Sequence, residues 1–363
     1  MKKVLLAGYY GQNNIGDEAI AEALTKELKR RGYEVLMLSG DRVTSAQIYG
    51  VTAYERQRLP EMRKAIQEAD FVILGGGSLI QDVTSSYSLW YYVGLINLCR
   101  MMKKNIYIAY QGIGPITKKS NELLTKLTLN ASKKLWIRDE MSINTLREIG
   151  VVKPNITLSS DAVFMLKPPS RDRVAVLLAK AGIRTDDGRP LIGIAPRRWG
   201  SEDKTGAFAR IADECINRFN AKVVFYAFHK ETDVRYINEI CSRMTNRAYI
   251  VADSYLPSEV MGMMGEMTLN IGVRLHSLIF SAKMGVPLLG ISYDPKIDGF
   301  MDMLGMSPVC DYKELSKEQV MPAVSWIMKN PFPVANMEET ISRFEKMTIQ
   351  SLDEILLESE VEG

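Results

Sequence analysis

Short apolar runs recur along this chain, each stopped by a glycine or a polar residue, with helix-length segments between them. Val4–Ala7, Glu34–Ser39, Phe71–Leu74, Ile106–Tyr110 and Lys134–Ile137 read as strands. Asp17–Arg31, Leu59–Glu68, Leu89–Met102 and Asn121–Ala131 read as the helices between them. Such alternation builds a mostly parallel sheet covered on both faces. The pattern pauses at Lys167-Pro168-Pro169-Ser170-Arg171-Asp172, where adjacent prolines resist regular structure and mark a linker. It restarts with strands at Leu191–Ala195, Lys222–Tyr226, Ala248–Val251, Met267–Val273 and Val286–Ile291. The expected fold is α/β, two doubly wound Rossmann-like domains facing a cleft, over residues 1–168 and 173–335. The segment 336–363 reads as a helical tail that returns to the first domain.

Composition narrows the function classes. A hydrophobic content of 46% and a charged content of 25% are ordinary for a globular protein. A net charge of +3, with the basic residues spread along the chain, gives no footprint for nucleic acid. Cys99, Cys215, Cys241 and Cys310 stand singly, which reads as reduced thiols in a cytoplasmic protein. No His/Cys/Asp/Glu cluster has ligand spacing, so no metal or other cofactor is expected. Met1-Lys2-Lys3 leads straight into the first strand and does not read as a signal peptide. No apolar run reaches the ~18 residues of a membrane span. The segment Leu89–Met102 comes nearest. It reads either as a buried helix packed on the sheet or as one that touches the inner membrane face and a lipid-linked substrate.

Ligands of open α/β sheets bind at the carboxyl ends of strands, so the residues just after each apolar run are the candidates. Asn270-Ile271-Gly272-Val273-Arg274-Leu275-His276-Ser277 ends one strand and opens one helix. Its turn carries a fixed cation and a group that can donate a proton near neutral pH. The pair points to an anionic substrate and proton transfer. Ala195-Pro196-Arg197-Arg198-Trp199 and Tyr293-Asp294-Pro295-Lys296 bring more cations to the same edge. His229, in Phe228-His229-Lys230-Glu231-Thr232-Asp233, is the chain's second histidine and a rival to His276.

The first half ends its strands differently. Gly8-Tyr9-Tyr10-Gly11-Gln12-Asn13-Asn14-Ile15-Gly16-Asp17-Glu18 offers bare backbone, two amides and two carboxylates. A helix cap accounts for one carboxylate; the pair leaves a ligand role open. The spacing is neither a dinucleotide fingerprint nor a P-loop. Gly75-Gly76-Gly77-Ser78 reads either as a tight strand-to-helix turn or as backbone that admits a sugar or a diphosphate, the site being favoured. Gln111-Gly112-Ile113-Gly114-Pro115 repeats this more weakly, and Arg138-Asp139 puts a cation, or a surface ion pair, at another strand end.

Together and in this order, these motifs resemble the polysaccharide pyruvyl transferase family, most closely its cell-wall-polymer branch. The marks are the Gly-x-x-Gly-x-x-Asn-x-Gly-Asp-Glu opening, Gly75–Gly77, Gln111–Pro115, Arg138-Asp139 and Arg274-Leu275-His276-Ser277. The resemblance implies a GT-B-like fold and phosphoenolpyruvate as donor. It implies transfer of pyruvate to a sugar as a 4,6-ketal, the sugar being N-acetylmannosamine in a lipid-linked secondary cell wall polymer precursor that anchors surface-layer proteins. It implies His276 as general acid with Arg274 beside it. The donor set is then Arg197, Arg198, Arg274, Leu275, Ser277 and Lys296, with two guanidiniums at 197 and 198 for one place. The acceptor set is Asn13, Asn14, Asp17, Glu18, Gly76, Gly77, Ser78 and Arg138.

The chemistry suits these residue types independently. Phosphoenolpyruvate carries a carboxylate and a phosphate, which arginines and a helix N-terminus can hold. Two other readings stay open: a nucleotide-sugar glycosyltransferase on the same fold, and a non-catalytic binder of acidic glycans. The first commonly uses a carboxylate on the helix after Arg274, and Ser277–Met284 has none.

Overall fold

Lys3–Ala7 (β1) lies inside a seven-stranded sheet whose order is β3-β2-β1-β4-β5-β6-β7. Its neighbours are Glu34–Ser39 (β2), Thr52–Glu55 (β3), Phe71–Ile80 (β4), Ile106–Ile113 (β5), Lys134–Ile137 (β6) and Asn155–Leu158 (β7). A six-stranded sheet follows in the order β10-β9-β8-β11-β12-β13. Its strands are Leu191–Ala195 (β8), Lys222–Tyr226 (β9), Tyr249–Val251 (β10), Leu269–Gly272 (β11), Leu288–Ser292 (β12) and Cys310–Asp311 (β13). Every pairing is parallel. The computed structural model describes residues 1–83, 85–252 and 254–361.

Parallel strands must be covered on both faces, and their side chains show it. Leu5, Leu36, Val72, Leu74 and Ile108 pack with Leu95 and Ile96 of the helix Ser86–Met101 in the first core. Ile192, Ile194, Val223, Phe225 and Ile271 pack with Phe208, Ile211 and Ile237 in the second. Strand order reverses between β1 and β4 in one sheet and between β8 and β11 in the other. These reversals open crevices at the carboxyl ends, where open α/β sheets take their ligands.

The two units comprise residues Met1–Gln12, Asp17–Leu166 and Arg343–Gly363 in the first, and Asn13–Gly16 and Lys167–Ser342 in the second. Two boundaries differ from the sequence reading. Residues 13–16 group with the second unit although the chain on both sides belongs to the first. The tail changes unit at Arg343 and not at 336, because the change falls inside one helix, Val334–Val361. From there the tail is fixed to the first sheet. Tyr110 Oη donates to Thr348 O at 3.1 Å, and Trp136 Nε1 donates to Glu354 Oε2 at 3.0 Å.

Other differences have local causes. β4 runs through Gly75–Gly77 to Ile80, so the glycines are not a strand-to-helix turn. Gly76 and Gly77 have φ of 73° and 84°, and the register against β5 shifts after Gly77. The helix Arg171–Lys180 begins inside the expected linker, capped by Ser170 Oγ. The helix Ser86–Met101 buries Leu89, Tyr92, Val93, Ile96 and Cys99 on the sheet while Tyr87 and Trp90 stay exposed. Among the described residues no helix is long and apolar enough to cross a membrane.

Candidate active site

Backbone register explains how the second unit assembles its cations. Val273 N–H donates to Ala195 O at 3.1 Å, so the chain leaves β8 and β11 in step. Arg197 and Arg274 therefore emerge together at the point where strand order reverses. Arg274 Nη2 donates to Asp233 Oδ1 at 2.6 Å. Asp233 is buried, and its other oxygen accepts the backbone N–H of Phe228 at 3.1 Å and of His229 at 2.9 Å. Arg274 Nε is buried without a hydrogen-bond partner among the described residues.

Arg197 has no carboxylate within ion-pair distance among the described residues. Its guanidinium lies 5.0 Å from the Trp199 ring centre and 4.8 Å from that of Tyr293, and it donates to Tyr293 Oη. Burial weakens its hold on its proton, and repulsion from Arg274 adds to this against the pull of Tyr293. Among the described residues Arg274 alone of the two guanidiniums pairs with a carboxylate, and that carboxylate's charge also serves two amides. Holding like charges together out of water is costly, and an anion placed between them relieves that cost.

Arg198 is different. It is exposed, paired with Glu239, and stacked 5.0 Å from the centre of the Tyr236 ring. Lys296 Nζ lies 3.1 Å from Asp294 Oδ2 and 5.7 Å from the Tyr293 ring centre. Leu275 is buried in the core, and Ser277 Oγ donates to Arg274 O at 2.6 Å to brace the turn. Their side chains are committed to the fold; a ligand could use only the first-turn amides that a helix leaves without intrahelical acceptors.

Residues 13–16 lie against this edge. Ile15 N–H donates to Phe228 O at 2.8 Å, Lys230 N–H donates to Asn13 O at 3.3 Å, and Asn14 bridges His229. A Cβ on Gly16 would overlap the His276 imidazole, so only glycine lets this backbone lie against the ring. His229 is half-buried. Burial, then the charge of Arg274, depresses its affinity for a proton below the ordinary 6.5. Asn13 and Asn14, expected on the acceptor side in the first domain, therefore pair with Lys230 and His229 in the second unit.

The carboxyl edge of the first sheet shows another economy. Glu18 Oε1 accepts Gly11 N–H at 2.7 Å and Gln12 N–H at 3.1 Å, and its Oε2 accepts Tyr49 Oη at 2.8 Å. Burial raises its pKa above the ordinary 4.5 against those three donors. Glu18 thus clamps the glycine loop. Asp17 lies beside the bare backbone of β4, where a Cβ on Gly77 would stand 3.2 Å from Asp17 Oδ1. Arg138 is not a surface cation. It is buried, with Nη1 on Asp161 at 3.2 Å, Nε on Asp139 at 3.3 Å and Nη2 on Ser78 Oγ at 3.1 Å. The structure brings Asp17, Gly76 and Gly77 together, and it commits Glu18 and Arg138 to holding their loops.

Asp233, Trp199 and Tyr293 lie inside the sequence motifs without an expected role. The signal for Asp233 was an acid in the first turn of a helix that starts just after His229. For Trp199 and Tyr293 it was an aromatic residue within two or three positions of a basic one at a strand end.

Comparison with known proteins adds the following. A family model described as polysaccharide pyruvyl transferase matches residues 14–295. The amylovoran biosynthesis protein AmsJ of Erwinia amylovora is 22% identical over 347 residues, covering 88% of this chain and 80% of that protein. Among solved structures, UDP-GlcNAc 2-epimerase from Neisseria meningitidis bound to UDP-GlcNAc aligns with a TM-score of 0.62 at 16% identity, over 98% of this chain and all (100%) of that one. HepE of Anabaena in complex with UDP-glucose aligns at 0.63 and 14% identity, over 99% and 100%. A glycosyltransferase from Rickettsia africae aligns at 0.64 and 13% identity, over 99% and 98%. At these identities the likeness is one of fold, the GT-B-like pair of Rossmann-like domains.

Proposed function

The chain belongs to the polysaccharide pyruvyl transferase family, and from that premise we propose that it transfers the enolpyruvyl group of phosphoenolpyruvate to two hydroxyls of a sugar as a cyclic ketal. The observation that carries this reading is the pair Arg197 and Arg274 at the ends of β8 and β11, where Asp233 pairs with Arg274 and Arg197 has no carboxylate within ion-pair distance among the described residues. A donor with a carboxylate and a phosphate gives each guanidinium a partner. Arg197, set between Trp199 and Tyr293, is the donor ligand; Arg198, paired with Glu239, is not.

His276 then protonates the methylene carbon of the donor, which becomes methyl, and C2 becomes an oxocarbenium-like electrophile. One sugar hydroxyl adds to C2 and loses its proton. The C2–O bond to phosphate breaks, and the second hydroxyl closes the ketal and loses its own. The proton consumed at carbon and the one taken up by phosphate match the two released by the hydroxyls. On the first unit, Asp17 beside the open backbone at Gly77 is the carboxylate proposed to read acceptor hydroxyls.

The acceptor assigned by the motif resemblance is N-acetylmannosamine, pyruvylated across O4 and O6 in a lipid-linked precursor of a secondary cell wall polymer. A lipid-linked acceptor places the enzyme at the cytoplasmic face of the membrane, and exposed Tyr87 and Trp90 suit such contact. The relative named for amylovoran biosynthesis supports a glycan acceptor in general. The test is phosphate release from phosphoenolpyruvate with and without a sugar acceptor, run in deuterium oxide. Acceptor-dependent release, with deuterium in the ketal methyl, is the expected result. Sugar transfer from a UDP-sugar without phosphoenolpyruvate would replace this reading with a glycosyltransferase.

A further inference from the structure

At the opposite, amino-terminal ends of β5 and β6 lies a pocket of about 410 Å³. Its charged walls are Arg100, Lys103, Lys104, Lys133 and Lys134, with Glu358 as the one carboxylate. The turn after the helix Ser86–Met101 supplies Lys103 and Lys104, and the turn before β6 supplies Lys133. Lys134 is neutralised, with Nζ 2.7 Å from Glu354 and 3.3 Å from Glu358. Arg100, Lys103 and Lys104 have no carboxylate within ion-pair distance among the described residues. Arg100 donates to Asn97 Oδ1 at 3.3 Å, and Lys104 donates to the Ala69 carbonyl. Ser132 Oγ is buried at the pocket wall without a hydrogen-bond partner among the described residues.

Cations gathered in a concave site repel one another, so such a cluster persists best where an anion occupies it. The volume suits a small ligand and excludes a nucleic-acid duplex. Arg100 offers a planar fork for two phosphate oxygens, the lysines offer point charges, and Ser132 offers a hydroxyl. We propose that this pocket binds a compact diphosphate-class anion. Strand rise sets it roughly 20 Å from Gly112 along β5 and roughly 13 Å from Arg138 along β6, at the opposite edge of the sheet, so the site is separate from the reaction proposed above and does not rest on it. The diphosphate belongs either to a soluble molecule or to the headgroup region of a membrane.

Both sources are testable with the full-length protein. Inorganic pyrophosphate is titrated by calorimetry at low salt into the wild type and into an Arg100→Ala/Lys103→Ala variant, both of whose changed side chains are exposed. In parallel, the two proteins are sedimented with phosphatidylcholine vesicles that either carry an anionic isoprenyl diphosphate or lack it. A soluble ligand predicts a pyrophosphate-binding component weakened at least tenfold in the variant, with turnover unchanged. A headgroup source predicts instead that binding to the anionic vesicles alone falls by that much. Wild type and variant behaving alike in both arms, or a wild type that binds neither pyrophosphate nor anionic vesicles, overturns the proposal.

Discussion

At the carboxyl end of β1 and β4, charged side chains are matched inside the protein. At the carboxyl end of β8 and β11 they are not. Glu18 spreads its charge over two amides and a tyrosine hydroxyl, and Arg138 sits between two carboxylates. Across the second edge, Arg197 has aromatic walls in place of a carboxylate, and Arg274 shares Asp233 with two backbone amides. The first arrangement makes a rigid, charge-balanced backbone surface, which fits a neutral ligand rich in hydroxyls. The second leaves a positive field, which fits a small anion. The same place in two related sheets thus differs in electrostatic character because one edge satisfies its charges and the other does not.

The largest effect should come from the group that moves the proton. His276→Ala is expected to lower turnover by roughly 10²–10⁴-fold, the usual contribution of a positioned acid. His229→Ala should cost far less, since its backbone contacts survive the change. Steady-state rates of folded variants check the ranking, and its reversal would move the acid to His229. Next comes the donor pocket. Arg197→Ala removes a charge-assisted contact, so donor KM should rise roughly 10- to 100-fold. Arg198→Ala should stay within about twofold, as expected of an exposed ion pair. If Arg198 proves the more sensitive, the contrast between a matched and an unmatched guanidinium fails within a single loop.

Much of this was legible in the sequence. The buried strands β1, β2, β6, β8 and β9 follow directly from apolar runs, and the helix Leu59–Glu68 falls where its pattern ends. The edge strands β3 and β7 did not show, because Thr52, Glu55, Asn155 and Thr157 face partly into solvent and leave no apolar run to read. Arg197, Arg274 and His276 were visible as polar residues at strand ends. Which arginine finds a carboxylate was not, because Asp233 reaches Arg274 and Glu239 reaches Arg198 from another part of the chain. For the same reason Arg138 read as a surface cation: Asp161, which buries it, is 23 residues away. Periodicity reports which residues are buried, and only the fold reports which charges meet.

The first edge gives a smaller, separable pair of effects. Glu18→Ala leaves two loop amides and Tyr49 without their acceptor, a loss of about 1–3 kcal/mol for an unsatisfied buried group. Thermal unfolding should move down by several degrees, with donor KM unchanged in the protein that remains folded. Asp17→Asn should leave stability nearly intact and impair acceptor use more than donor binding. Should Asp17→Asn behave like Glu18→Ala, both carboxylates hold the loop and neither reads the acceptor.

The smallest effect reads the positive field directly. The chain has two histidines, so an imidazole-labelled sample gives two ring signals, assigned with His229→Gln. Burial and Arg274 depress the proton affinity of His229 in the folded chain, so its titration midpoint should lie below 6.5. The sign for stability follows. As pH falls, the unfolded chain takes up this proton before the folded one does, so the contribution of His229 is whole above about 6.5 and is lost on acidification through the folded midpoint. Adding phosphate or phosphoenolpyruvate should raise that midpoint, because an anion beside Arg274 and Arg197 cancels part of the repulsion. A midpoint near 6.5 that ignores both ligands would mean the second edge is as well balanced as the first. The distinction between a sugar edge and an anion edge would then have no electrostatic basis.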